Sequence, residues 1–406
     1  MRVLWFAITP SCYDIRQTGG WIESLEKAFR KFQPSIKLGI VFEHPDGNKM
    51  VEKNSVTYYP LHIAQTSSPQ KNYALLKPLY LKAIEDFKPD IVHCFGTERY
   101  HYGLLAKDVK IPFVIHIMGF MNIYDCMDEV VLHKMDYWKY FKYNPIKVYL
   151  NSRSFKFRKE NQILEREIMK CNHYFMGRTD WDKDIVKYYS DGGKYYHCEE
   201  TIREEIYDSL EKWKFHERNE IRLVTIGNAG SLKGNEIMLK TAWLLKNEFH
   251  IDFEWIYTSD DNRMCFFENL VDIKCKDVNI KLIGRIDAKR IAAELCNAEF
   301  YVHTSIIDNS PNTLCEAQLI GTPVISTNAG GIPQLVENGE SGFLYPYSEA
   351  YALAFRIMSL HNRRKLLEDV SLNEISKSHE RHNPQIITDA VISIYKDIIE
   401  TYNKIK

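Results

Sequence analysis

The sequence has no run of about twenty apolar residues, the length a helix needs to cross a bilayer, so no membrane span is expected. Its nine cysteines are scattered and contain no C-x-x-C pair. An odd, unpatterned set argues against a disulfide framework and against a zinc site, and a reducing cytoplasm is the simplest setting. An excess of one charge is also missing. Lys and Arg number 53 against 54 Asp and Glu, a formal net charge of -1. That leaves no global field to draw the chain to nucleic acid, and no nucleic-acid partner is expected. The apolar N-terminal stretch 1–8 is short and runs into Thr9-Pro10, which reads as a first strand rather than a signal peptide.

What is present is an ordinary globular composition, 45% hydrophobic and 26% charged. At 406 residues the chain exceeds one typical core, and two domains are expected. Residues 3–8, 37–42, 89–94 and 112–117 read as strands, and 21–32 as an amphipathic helix. Further on, 221–226, 253–257, 280–286, 300–304 and 324–326 read as strands, and 160–169, 289–296 and 384–402 as helices. Such alternation predicts α/β architecture, with parallel sheets covered by helices on both faces. Ligands of these sheets bind outside the carboxyl ends of the strands. The charged, irregular stretch 201–218 is expected to contain the interdomain linker.

One segment carries most of the functional signal. It begins Asp308-Asn309-Ser310-Pro311-Asn312-Thr313-Leu314-Cys315-Glu316. It continues through Gly321-Thr322-Pro323-Val324, Gly330-Gly331 and Glu337-Asn338-Gly339 to Gly342. Ser310 suits a helix N-cap, Pro311 the first helical position, and Gly321 the helix end. The helix start would offer free backbone N–H groups to a phosphate or a sugar hydroxyl. Asp308 and Glu316 flank that start, eight residues apart.

This pattern resembles the nucleotide-sugar site of retaining glycosyltransferases of the GT-B fold, in particular their family 4 (glycosyltransferases group 1). That family carries E-x7-E, then G-x-P-V-I, G-G-x-P/E and N-G-x-x-G-x-L. Asp308 stands at the first Glu and Glu316 at the second. The resemblance implies two Rossmann-like, doubly wound parallel-sheet domains facing a central cleft. Residues 1–200 would form an acceptor-binding domain and 201–385 a donor-binding domain, with a C-terminal helix in 386–406 crossing back to the first.

It also implies roles for residues. Glu316 would accept the ribose hydroxyls. Asp308, one methylene shorter than the usual Glu, would hold a hydroxyl of the donor sugar. Asn309, Ser310, Pro311, Asn312 and Thr313 would border the donor, and Gly284, Arg285 and Ile286 would lie where the base stacks. Lys233 would grip the diphosphate. The family pattern there is G-R-x4-K-G, and Asn228 replaces the arginine. Arg178 or Arg203 is the candidate source of the missing charge. Gly19 and Gly20 match the paired glycine of the first donor loop, or form a plain turn before a helix.

In the first domain Glu98 follows a strand and either holds an acceptor hydroxyl or caps the next helix. The family's T-x-H-G segment corresponds to His116-Ile117-Met118-Gly119, so Met118 replaces the usual histidine and cannot move protons. His116 is either a substitute or, like His93, a packed strand histidine. Arg178 either points into the cleft or pairs with Asp180 or Asp182. The stretch 134–159 holds eight basic residues against one acid, Asp136, with Trp138, Tyr140, Phe141, Phe155 and Phe157 among them. It suits an anionic membrane surface or a lipid-pyrophosphate acceptor, or is a solvated helical face with aromatics turned inward.

The expected function is hexosyl transfer with retention, from a UDP- or GDP-sugar to a glycan or lipid-linked acceptor. The expected location is the cytoplasm, peripheral on the membrane face. No D-x-D with ligand-like spacing demands a metal, and no cofactor beyond the donor is expected. A non-hydrolysing sugar-nucleotide epimerase and an inactive GT-B scaffold subunit are the alternatives.

Overall fold

The computed structural model describes residues 1–14, 20–131 and 145–405. Gly19 and residues 134–144 of the basic-aromatic stretch 134–159 lie outside the described residues. The chain forms two compact units. The first holds Met1–Asp125, Tyr149–Thr201 and His382–Lys406, and the second is built on Ile202–Arg381.

The first unit is organised on an eight-stranded sheet. Its strands are β1 (Arg2–Phe6), β2 (Lys37–Glu43), β3 (Val51–Lys53), β4 (Val56–Leu61), β5 (Ile91–Phe95), β6 (Phe113–His116), β7 (Tyr174–Gly177) and β8 (Lys194–His197). Their order is β3-β4-β2-β1-β5-β6-β7-β8. All neighbours are parallel except β3 and β4. Every residue of β5 is buried, as expected for a strand covered on both faces. The C-terminal helix Pro384–Ile405 belongs to this unit and places Ile387, Val391, Tyr395 and Ile398 in its core. Each such side chain stabilises the packing by about 1.5–3 kcal/mol. Tyr395 also accepts a hydrogen bond from Trp5 Nε1 at 3.1 Å, and its hydroxyl lies 2.5 Å from His93 Nδ1.

The second unit has a six-stranded sheet, all parallel. It comprises β9 (Ile221–Thr225), β10 (Phe253–Tyr257), β11 (Ile280–Leu282), β12 (Phe300–His303), β13 (Val324–Thr327) and β14 (Phe343–Tyr345). The order is β11-β10-β9-β12-β13-β14. Among the described residues no helix is long and apolar enough to cross a membrane.

Several local expectations are corrected. Within the stretch 201–218, Ile202, Ile206 and Trp213 are buried in the core of the second unit. Trp213 donates from its backbone N–H to Ile320 O at 2.9 Å and from Nε1 to Ala298 O at 2.7 Å. The helix expected over 160–169 runs from Pro145 to Cys171. Proline is tolerated at a first helical position because that N–H lacks a helical partner anyway. The strand expected over 280–286 ends at Leu282, and from Gly284 (φ +69) the backbone turns away.

Candidate functional site

The residues singled out in the second unit converge at the carboxyl ends of β9 and β12, and backbone chemistry explains why. Gly234 follows Lys233 with φ +62, and a Cβ there would stand 1.9 Å from Thr304 O. Only glycine permits that approach. The contact is stitched by Thr304 Oγ1 donating to Lys233 O at 2.7 Å and Ile306 N donating to Leu232 O at 2.9 Å. On the other side, a Cβ on Gly330 (φ +59) would stand 2.1 Å from Asp308 O, and Gly331 N donates to that oxygen at 3.0 Å. The two glycines thus hold the Lys233 loop and the Asp308 loop face to face.

The result is an ion pair: Lys233 Nζ lies 2.6 Å from Asp308 Oδ2. Lys233 keeps 41% of its side chain exposed, against 15% for Asp308. Ser305 Oγ lies 3.4 Å and His303 Nε2 3.5 Å from the same carboxylate oxygen. Burial alone would raise the pKa of Asp308, but the charge of Lys233 and the His303 contact outweigh it, and the carboxyl lies well below its ordinary value. Burial lowers the pKa of His303, against the opposing pull of Asp308 and with the charge of Lys233 adding to the fall. His303 is held by Tyr301 Oη at 3.2 Å from Nδ1, and Tyr301 Oη lies 2.8 Å from Thr313 Oγ1. Tyr301 and His303 were not singled out as site residues. Their signal was the period of two in β12, which places both on one face.

The motif helix is Asn312–Ile320. Pro311 is its N-cap, with an extended ψ of 115°, and no side-chain cap is made. Ser310 therefore is not the cap, and the helix opens one residue later than the sequence suggests. Asn312 Oδ1 is buried without a hydrogen-bond partner among the described residues. Asn309 is buried, and Ser310 and Thr313 are half-buried. Gly321 ends the helix in the left-handed conformation at φ +85.

Glu316, on the second turn of this helix, is almost fully buried and takes a two-point ion pair from Arg203. Nε to Oε1 is 2.7 Å and Nη2 to Oε2 is 2.6 Å. Burial raises the carboxyl of Glu316 above its ordinary value, and Arg203 works against that rise. Arg203 thus serves Glu316 within its own unit. Asn228 is exposed on the turn before Lys233. Gly284 and Ile286 are half-buried and Arg285 exposed, with Gly284 N bonded to Ser259 O at 3.1 Å.

In the first unit, Gly20 opens the helix Gly20–Phe32 with φ +57 and open space beside its Cα. Glu98 is half-buried and packs its carboxylate between Gly96 and Gly119, where an added Cβ would meet it at 2.2 and 2.9 Å. It accepts a hydrogen bond from Thr97 N at 2.9 Å. Burial, with Glu165 nearby, raises its pKa from 4.5 to about 7. Met118 lies next to the same loop, as its Sδ would be 3.6 Å from a Cβ on Gly96. His116 is buried against Trp21, with His93 parallel to it at 5.5 Å and Glu200 3.4 Å from its Nε2. Such enclosure makes it a packed histidine rather than a solvent-facing one. Arg178 is buried and pairs with Glu199 and Glu200, each at 3.2 Å. It is part of a carboxylate network of the first unit.

Two Rossmann-like units, each built on a largely parallel sheet, form the GT-B architecture. Sucrose-phosphate synthase from Thermosynechococcus elongatus superposes with a TM-score of 0.74 at 13% identity, over 98% of this chain and 99% of that one. Anabaena HepE, crystallised with UDP and glucose, superposes with a TM-score of 0.63 at 14% identity over 100% of both chains. Residues 220–363, in the second unit, match the family model described as glycosyl transferases group 1. The Saccharomyces cerevisiae phosphatidylinositol N-acetylglucosaminyltransferase GPI3 subunit is 22% identical over 190 residues, 45% of this chain and 40% of that protein. A Salmonella typhimurium putative colanic acid biosynthesis glycosyltransferase, WcaL, is 32% identical over 126 residues, 29% of this chain and 31% of that protein. The matched part of the chain thus spans well under half the length of these curated relatives.

Proposed function

We propose that the protein transfers a hexosyl group from a nucleoside-diphosphate sugar to a glycan or lipid-linked acceptor, with retention of the anomeric configuration. The observation that carries this reading is the Lys233–Asp308 pair, 2.6 Å apart just ahead of the motif helix. A sugar nucleotide satisfies both partners at once. Its phosphates take the ammonium of Lys233 and the free N–H groups of the helix start, and a sugar hydroxyl takes the Asp308 carboxylate. As the glycosidic bond breaks, charge builds on the leaving diphosphate, where Lys233 and the helix start are already in place. Glu316, oriented by Arg203, offers its carboxylate to the ribose. No protein nucleophile is required if the acceptor attacks the same face that the diphosphate leaves, with a phosphate oxygen taking the proton. We assign the donor as a UDP- or GDP-hexose and the reaction as metal-independent, in polysaccharide or glycolipid synthesis. The basic and aromatic sequence of 134–159 supports a cytoplasmic site of action against an anionic membrane face.

The test is turnover of UDP- and GDP-hexoses in the presence and absence of glycan and lipid-linked acceptors, with the product's anomeric configuration read by NMR. Nucleoside diphosphate released only with an acceptor, and a product of unchanged configuration, would support the reading. Release that ignores the acceptor, as an epimerase with donor breakdown gives, would contradict it, as would an inverted product.

A further inference from the structure

Two basic side chains approach the carboxylate of Asp308, and only one holds it. Lys233 Nζ lies 2.6 Å from Oδ2. His303 Nε2 stands 3.5 Å from the same oxygen, beyond a good hydrogen bond. His303 is buried, and its Nε2 makes no hydrogen bond among the described residues. Buried polar atoms are rarely left unpaired, so an imidazole nitrogen held just short of a carboxylate calls for a reason. The ring is fixed from its other side. Tyr301 Oη lies 3.2 Å from Nδ1, and that hydroxyl lies 2.8 Å from Thr313 Oγ1 on the motif helix. The chain Thr313–Tyr301–His303 thus holds the imidazole against Asp308 without closing the last step.

What keeps that step open is Lys233, and Lys233 is the partner able to leave. Its long side chain is 41% exposed, whereas His303 and Asp308 are enclosed. A bound diphosphate attracts the ammonium, and Asp308 then lacks a counter-ion in a site poor in water. Ser305 Oγ, 3.4 Å from Oδ2, carries no charge to replace it. Asp308 and Lys233 are the charged groups that act on His303, while Glu316, three residues along the motif helix from Thr313, acts on Tyr301. Burial and the charge of Lys233 lower the pKa of His303, and Asp308 raises it. Removing the lysine leaves the pull of Asp308 unopposed by any neighbouring cation.

We propose that His303 is a positioning residue: as the donor's diphosphate draws Lys233 away, His303 takes a proton from solvent and pairs with Asp308 Oδ2, leaving the other carboxylate oxygen for the donor sugar. The proposal rests on the donor reading above and adds one proton to the binding step. Calorimetric titration of UDP-glucose and GDP-mannose at pH 7, in two buffers of different ionisation enthalpy, counts the protons exchanged. Neither sugar nucleotide has a phosphate that titrates near pH 7, so any uptake belongs to the protein. We expect about 0.5–1 proton taken up per donor bound, and an affinity that falls about threefold from pH 7 to pH 8. His303→Gln keeps a hydrogen-bonding side chain but takes no proton, and should bind donor without uptake. Lys233→Ala should bind more weakly and also without uptake, because His303 already carries the proton when no ammonium competes. Wild-type binding without uptake, or uptake that survives His303→Gln, overturns the proposal and leaves the donor reading standing. Should His303→Gln fail to fold, undiminished uptake in Lys233→Ala overturns it equally. If neither sugar nucleotide binds, the donor reading itself fails, and the proposal with it.

Discussion

Removing the guanidinium of Arg203 leaves the carboxylate of Glu316 in a site where only 2% of its side chain is exposed. The pair makes two charge-assisted hydrogen bonds, at 2.7 and 2.6 Å. Breaking one partner of a buried pair costs about 3–5 kcal/mol, and the partial exposure of Arg203 places Arg203→Ala near 3 kcal/mol. The cost depends on pH. Burial already raises the folded-state pKa of Glu316, and loss of Arg203 raises it further. A raised carboxyl favours the folded state as pH falls, because the folded chain then binds the proton more readily. The destabilisation by Arg203→Ala is therefore largest at pH 8 and smaller at pH 5. Urea unfolding followed by tryptophan fluorescence measures it, since Trp213 is hydrogen-bonded to the end of the motif helix. Glu316→Gln and the double variant complete the cycle and isolate the coupling. A cost below about 0.5 kcal/mol, or one equal at both pH values, would refute the reasoning.

Four further outcomes follow from the structure. Gly234→Ala, with its 1.9 Å clash at φ +62, should destabilise the second unit by about 3 kcal/mol, measured by urea unfolding. Gly339→Ala, at φ +88 in open space, should cost only about 1 kcal/mol. Because burial raises Glu98 from 4.5 to about 7, its contribution to stability is complete below pH 4.5 and is lost as pH rises through about 7. Thermal melts between pH 4.5 and 7.5 should show that slope flattened in Glu98→Gln. Tyr395→Phe, which leaves Trp5 Nε1 and His93 without their shared partner, should lower stability by about 1–2 kcal/mol in the same urea assay.

The arrangement around Asp308 was legible in the sequence because its parts are local. Asp308, the motif helix and Glu316 sit within nine residues, and glycines mark each close approach. What the sequence hid depends on long-range pairing. Arg203 reaches Glu316 across more than a hundred residues, from a stretch whose charges read as a solvated linker. The β3–β4 hairpin turns on Asn54 and Ser55, with φ of +54 and +63, a two-residue turn of the kind that favours Asn. Pro60 inside β4 argues against a strand there and masked the pair. His116 and Arg178 read as site residues by position. The structure surrounds them with Trp21, His93, Glu199 and Glu200, partners that no local pattern announces. The helix start moved by one residue because Pro311 takes an extended ψ and itself becomes the cap.

The most direct measurement is calorimetric titration of UDP, GDP, ADP and CMP, with and without magnesium, into the wild type and Lys233→Ala. The account predicts that one nucleoside diphosphate binds with micromolar affinity, independently of magnesium, and that Lys233→Ala weakens it at least tenfold, about 1.4 kcal/mol. Binding that ignores Lys233, or no binding by any of the four, would contradict the assignment of the donor site.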